Sequence, residues 1–169
     1  RVAHLAVAIA QEMGLSEEVI DAVRTAALLH DIGKLYIPGE IMSRPGKLSR
    51  PELDLIRTHA RAGYEILQPI DFPWPVADIV LQHHERLDGS GYPQGLSGES
   101  VMLEARILAV ADVVEAMLSH RPYRPARTIE EARRELEAGR GSLYDPEVTD
   151  ACLRLLDRIP PGTLFADLS

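Results

Sequence analysis

The chain has 169 residues, 46% of them hydrophobic and 26% charged, with a formal net charge of −8; this is the profile of one globular domain with a single sizeable core. No apolar run is long enough to cross a bilayer and no basic, apolar leader opens the chain, so membrane insertion is not expected. The acidic balance argues against a nucleic-acid polymer as partner, and the single cysteine, Cys152, excludes a disulfide framework and a multi-cysteine zinc site, which points to a reducing, cytoplasmic setting. An anionic ligand would then need a local source of positive charge, and metal ions would supply it.

In chain order the elements read as helices. Residues 1–13 are amphipathic and stop at Gly14; Ser16 caps a second helix with Glu17 and Glu18 in its first turn, running through Val19, Ile20, Val23, Ala26 and Ala27 to His30-Asp31. Gly33, Pro38 and Gly39 break the pattern. A further helix starts near Ser49, with Pro51 early and Glu52 placed for a capping box, and carries the stripe Leu53, Ile56, Ala60, Gly63, Ile66 and Leu67 as one element. Prolines 69, 73 and 75 interrupt it, and Val76 to His84 predicts a short helix. Residues 86–100, with glycines 89, 91, 95 and 98, predict a loop. Leu103 to Leu118 is apolar nearly all round, as a buried central helix is. Thr128 caps a helix to Ala138, and Asp145-Pro146 opens the last, to about Leu156. With no strand pattern, repeat or low-complexity segment, the fold class is all-α, in one domain.

On those helices His30 follows Ala27 and Ala26 by three and four positions, and His59 lies three after Ile56 and four before Gly63, so both project from apolar faces. Asp112 stands within ARILAVADVVEAM, where a carboxylate has to be paired, protonated or bound to a cation. His83 and His84 end a helix just before the glycine loop, in LQHHERLDGSGYPQGL. Each residue taken alone has a plainer explanation: a core histidine, an Asp112–Arg106 ion pair, a helix end favoured by its dipole, a connecting loop. Their concentration decides otherwise, because four of the six histidines are implicated together with buried or adjacent acids. The joint reading is His and carboxylate ligands in a number suited to more than one metal. Glu85 reads as a proton shuttle or an orienter of a ligand, or else as a solvated helix end. Tyr92 is placed to stack on a base or to pack inward, with packing favoured.

The motifs HDIGK (His30 to Lys34), HHERLDGSGYP (His83 to Pro93) and ILAVADVVEAMLSHRPYR (Ile107 to Arg124) resemble, in order and spacing along nearly the whole chain, the HD-GYP branch of the HD-domain metal-dependent phosphohydrolases. The resemblance implies an HD-domain helical bundle with the additional C-terminal helices of the HD-GYP type, around a two- or three-metal centre. It implies hydrolysis of the bacterial messenger cyclic di-GMP to pGpG, GMP or both, as a signalling output module. His30, Asp31, His59, His83, His84 and Asp112 match the family's ligands, with Asp31 in the bridging role and Lys34 on substrate phosphate. Arg121 and Arg124 fall where the family places basic residues that hold the ligand; Asp88, Gly91, Tyr92 and Pro93 form the signature loop, which shapes the pocket or meets partner domains such as a diguanylate cyclase. Asp31, Lys34 and Glu85 are the candidate catalytic residues. The cofactors implied are two or three divalent transition metal ions, iron or manganese first, with nickel, cobalt or zinc as alternatives. Two departures accompany the match: the family's E-x-x-x-H motif falls upstream of Arg1-Val2-Ala3, and His120 stands where an acidic residue is frequent. Residues 1–169 are therefore expected to be a single domain lacking its first ligand motif and an upstream regulatory domain. The alternatives are a degenerate domain that binds a nucleotide or protein partner, and an HD hydrolase of another cyclic dinucleotide.

Overall fold

A computed structural model describes residues 1–44, 46–119 and 126–158. Among these the chain is helical and has no strand; only isolated bridges, Asp88 with Ser97 and Arg140 with Tyr144, occur. The α-helices are α1 (Val2–Glu12), α2 (Glu17–Leu29), α3 (Gly39–Met42), α4 (Arg50–Arg57), α5 (His59–Leu67), α6 (Val76–Gln82), α7 (Leu103–Leu118), α8 (Ile129–Gly139) and α9 (Pro146–Arg158), with 3-10 turns at Ile32–Tyr36 and Gly98–Ser100. None is long and apolar enough to cross a membrane.

The ends of these helices follow from local chemistry. The Ser16 hydroxyl accepts the Val19 N–H, and Gly14 takes the positive φ of +69° that stops α1. Glu52 accepts both the N–H and the hydroxyl of Ser49, and Thr128 and Glu131 exchange bonds in a full capping box. Asp145 accepts from the N–H groups of Glu147 and Val148 with one oxygen and from Arg106 with the other, so the cap of α9 is tied to α7.

The expected single helix over 49–67 divides at Thr58. There the hydroxyl donates to the Leu55 carbonyl at 2.6 Å, and Nδ1 of the next residue, His59, lies 2.6 Å from the Ile56 carbonyl. Side-chain donors have taken the acceptors of the preceding turn, which is how such residues interrupt a helix. The stretch expected only as a break after Gly33 forms a 3-10 turn and then α3.

As its pattern implied, α7 is the centre of the bundle. Ala105, Ile107, Leu108, Val110, Ala111 and Val114 are buried, against α1, α2, α6, α8 and α9. The 3-10 turn after α2 lies on α5 so closely that a Cβ on Gly33 would stand 2.0 Å from the His59 carbonyl oxygen. That approach sets Asp31 beside His59.

Candidate metal centre

Four histidines converge where α2, α5 and α6 end or begin. His30, His59 and His83 are buried, and each turns Nδ1 to the carbonyl three residues back in its own chain: Ala27 at 2.7 Å, Ile56 at 2.6 Å and Val80 at 2.5 Å. A carbonyl can only accept, so Nδ1 carries the proton and, in the neutral ring, Nε2 keeps its lone pair. Burial holds His59 below its ordinary pKa, takes His83 down to about 3, and takes His84 lower still with help from the neighbouring His83. At neutral pH these three rings are uncharged and have a nitrogen free to bind.

Nε2 of His59 lies 3.4 Å from that of His83 and 3.2 Å from that of His84. Between His59 and His83, whose Nδ1 protons are committed, this sets lone pair against lone pair. A cation among them makes the arrangement favourable. The ligand nitrogens of His59, His83 and His84 all lie within 4.8 Å of one another and can hold a metal ion.

Asp31 stands between this cluster and His30. Its Oδ1 is 3.8 Å from Nε2 of His59 and its Oδ2 is 3.5 Å from Nε2 of His30, which is itself 3.8 Å from Asp112 Oδ1. Lys34 Nζ donates to Asp31 Oδ2 at 2.7 Å. Burial opposes the charged carboxylate, but His30 and Lys34 outweigh it and hold Asp31 below the usual range. A cleft of about 360 Å³ is lined by His30, Asp31, Lys34 and Asp112, together with Arg1 and Glu115. Imidazole and carboxylate without thiolate is a donor set for iron, manganese, cobalt, nickel or zinc.

The structure thus brings together His30, Asp31, Lys34, His59, His83, His84 and Asp112. The plain alternative for Asp112 is replaced, because Arg106 pairs with Asp145 at 2.6 Å instead. Glu85 is buried, so it is not a solvated helix end; its two oxygens accept from the backbone N–H groups of Gln94 at 2.7 Å and Leu96 at 3.0 Å, which fastens the glycine loop. Asp88 is exposed and turns the loop by accepting the Ser90 N–H, and Pro93 is exposed beyond it. Gly91 is required where it is: a Cβ there would stand 2.5 Å from Glu85 Cα and from the His84 carbonyl oxygen. Tyr92 packs inward, its ring stacked on that of His84 with centroids 4.8 Å apart. Arg121 and Arg124 lie outside the described residues. The sequence reading missed Arg57, whose guanidinium lies 5.3 Å from the Tyr92 ring centroid; an exposed arginine at a helix end carries no sequence signal for such a contact.

Residues 1–148 match the family of the HD domain. The chain belongs to the HD domain family. The resemblance to its HD-GYP branch holds as well. The HD domain is 49% identical over 156 residues to the cyclic di-GMP phosphodiesterase response regulator RpfG of Xanthomonas campestris pv. campestris, a match covering 91% of this chain and 41% of that protein. It is 45% identical over 157 residues to a cyclic di-GMP phosphodiesterase of Thermotoga maritima, covering 92% and 43%. The chain therefore spans about two fifths of the length of these relatives. Among solved structures, Bd1817, an HDG"Y"P protein from Bdellovibrio bacteriovorus, superposes with a TM-score of 0.74 over 92% of this chain and 50% of that one, at 24% identity, which bears out the all-α fold.

Proposed function

We propose that this HD domain is a phosphodiesterase acting on cyclic di-GMP, opening it to pGpG and on to GMP at a centre of two or more metals, as the output module of a longer signalling protein. One observation carries the reading: Asp31 offers one carboxylate oxygen toward His30 and the other toward His59. Asp31 would thereby help to hold a metal on either side, with His30 and Asp112 as further donors on one side and His59, His83 and His84 on the other. The similarity to two cyclic di-GMP phosphodiesterases supports the substrate.

Divalent metals bound there supply a nucleophile at neutral pH and relieve charge on the phosphate oxygens. The protein's own part is orientation and charge. The Nδ1 bonds hold His30, His59 and His83 in one tautomer with Nε2 facing the cleft, and neighbours of this kind raise metal affinity by roughly 10- to 100-fold. Lys34, at the cleft wall, is the cation for a nonbridging phosphate oxygen, and its bond to Asp31 keeps it in place until substrate arrives. Iron or manganese are the first candidates for the metals.

The test is hydrolysis of cyclic di-GMP by protein purified without oxygen, with nucleotide products separated, for the parent and His83→Ala. The expected result is pGpG and GMP from the parent and a loss of at least about a hundredfold in the variant, since a direct ligand matters no less than its supports. Binding of cyclic di-GMP without turnover would make this a nucleotide-binding module. Turnover of another cyclic dinucleotide in its place would move the substrate assignment and leave the chemistry standing.

A further inference from the structure

Three of the four histidine rings are oriented by a hydrogen bond from Nδ1 to their own backbone. His84 is the exception. Among the described residues its Nδ1 has no such carbonyl; its contacts are Nε2 to Nε2 of His59 and ring faces, those of His59, His83 and Tyr92. His59 meets it edge-on, at 80°. Tyr92 lies closest to parallel, at 26° and 4.8 Å between centroids.

We propose that Tyr92 is the positioning residue for His84: the face of the phenol ring sets the imidazole plane that a hydrogen bond sets in His30, His59 and His83. This rests on the metal reading of the same site, and goes beyond it by assigning a task to the tyrosine of the glycine loop.

The loop is built to deliver that ring. The Tyr92 N–H donates to the carbonyl of His84 itself at 3.3 Å, so ring and backbone grip the same residue. On the far side of the tyrosine, Glu85 holds the N–H groups of Gln94 and Leu96, and on the near side Gly91 lets the main chain press against His84 and Glu85. Arg57 adds a cation near the Tyr92 ring from the end of α4. Residues 83–96 thus form a closed unit in which the helix end holds the loop and the loop orients the helix end's last histidine. A stacked ring suits this task because offset aromatic pairs have a preferred plane and separation, which an aliphatic side chain does not impose.

The experiment equilibrates the purified chain with cobalt(II) against a chelating competitor and reads affinity and the visible absorption of the bound metal, without substrate. The proteins are the parent, Tyr92→Phe, Tyr92→Leu, Tyr92→Ala and His84→Ala. Tyr92→Phe keeps the ring face and is expected to bind cobalt as the parent does. Tyr92→Leu and Tyr92→Ala are expected to bind roughly 10- to 100-fold more weakly, with the absorption shifted toward that of His84→Ala. Leucine keeps apolar bulk, so it decides the matter even if the alanine variant fails to fold. Parent-like affinity and spectrum in Tyr92→Leu would overturn the inference alone, as would an equal loss in Tyr92→Phe, which would assign the effect to the hydroxyl. A parent that binds no cobalt would overturn the metal reading itself.

Discussion

Gly33 shows how tightly the centre depends on single residues. A methyl group there would have to displace the backbone of α5 at His59, since the clashing atoms are a carbonyl and the Gly63 nitrogen rather than a side chain that can swing away. Gly33→Ala is therefore expected to cost about 3 kcal/mol in urea unfolding, at the upper end for overpacking, and to lower metal content as Asp31 moves from His59. Glu85→Gln replaces an acceptor of two backbone N–H groups with a side chain that can satisfy only one of them. It is expected to cost about 2 kcal/mol and to speed amide hydrogen exchange at Gln94 and Leu96; unchanged exchange there would refute its role as a latch. The burial of His30 and His59 was legible in the sequence because helical spacing put both on apolar faces. The orientation of their rings was not, because it depends on a bond from each side chain to its own backbone. The partners of Glu85 were hidden for a related reason: they lie nine and eleven residues away, along a loop path that no periodicity announces.

At the scale of elements, the helix starts were legible where a capping residue did the work, at Ser16, Thr128 and Asp145. The division at Thr58 was not, since the apolar stripe runs through it uninterrupted and only the competition for the Leu55 and Ile56 carbonyls breaks the ladder. Asp145 has a second task beyond capping α9, because its other oxygen neutralises Arg106 on α7. Asp145→Ala would remove the cap and leave a largely buried guanidinium without its carboxylate. The expected loss is about 2 kcal/mol or more in urea unfolding. Asp145→Asn keeps the cap and should recover part of it; equal losses in the two variants would show that the cap contributes nothing.

Across the whole molecule, α1 and α9 are joined at the surface by Glu12, which accepts from Arg154 and Arg158. Those two guanidinium groups hold the Glu12 carboxyl below its ordinary value of 4.5. The sign follows: a carboxyl with a lowered folded-state pKa stabilises the fold above its unfolded value, and that contribution fades as pH falls through the folded one. Urea unfolding of the parent should thus weaken as pH drops below about 4.5, and Glu12→Gln should flatten part of that slope. The centre itself joins α2, α5, α6 and α7, so bound metal is expected to couple to the stability of the bundle. Among the described residues Asp31 is the carboxylate that faces both His30 and His59. The most direct measurement is elemental analysis of metal per chain, on protein purified without oxygen, for the parent and Asp31→Ala. Two or more metals in the parent and a loss of more than one in the variant is the expected result. No metal in the parent, or an undiminished count in Asp31→Ala, would contradict a shared centre.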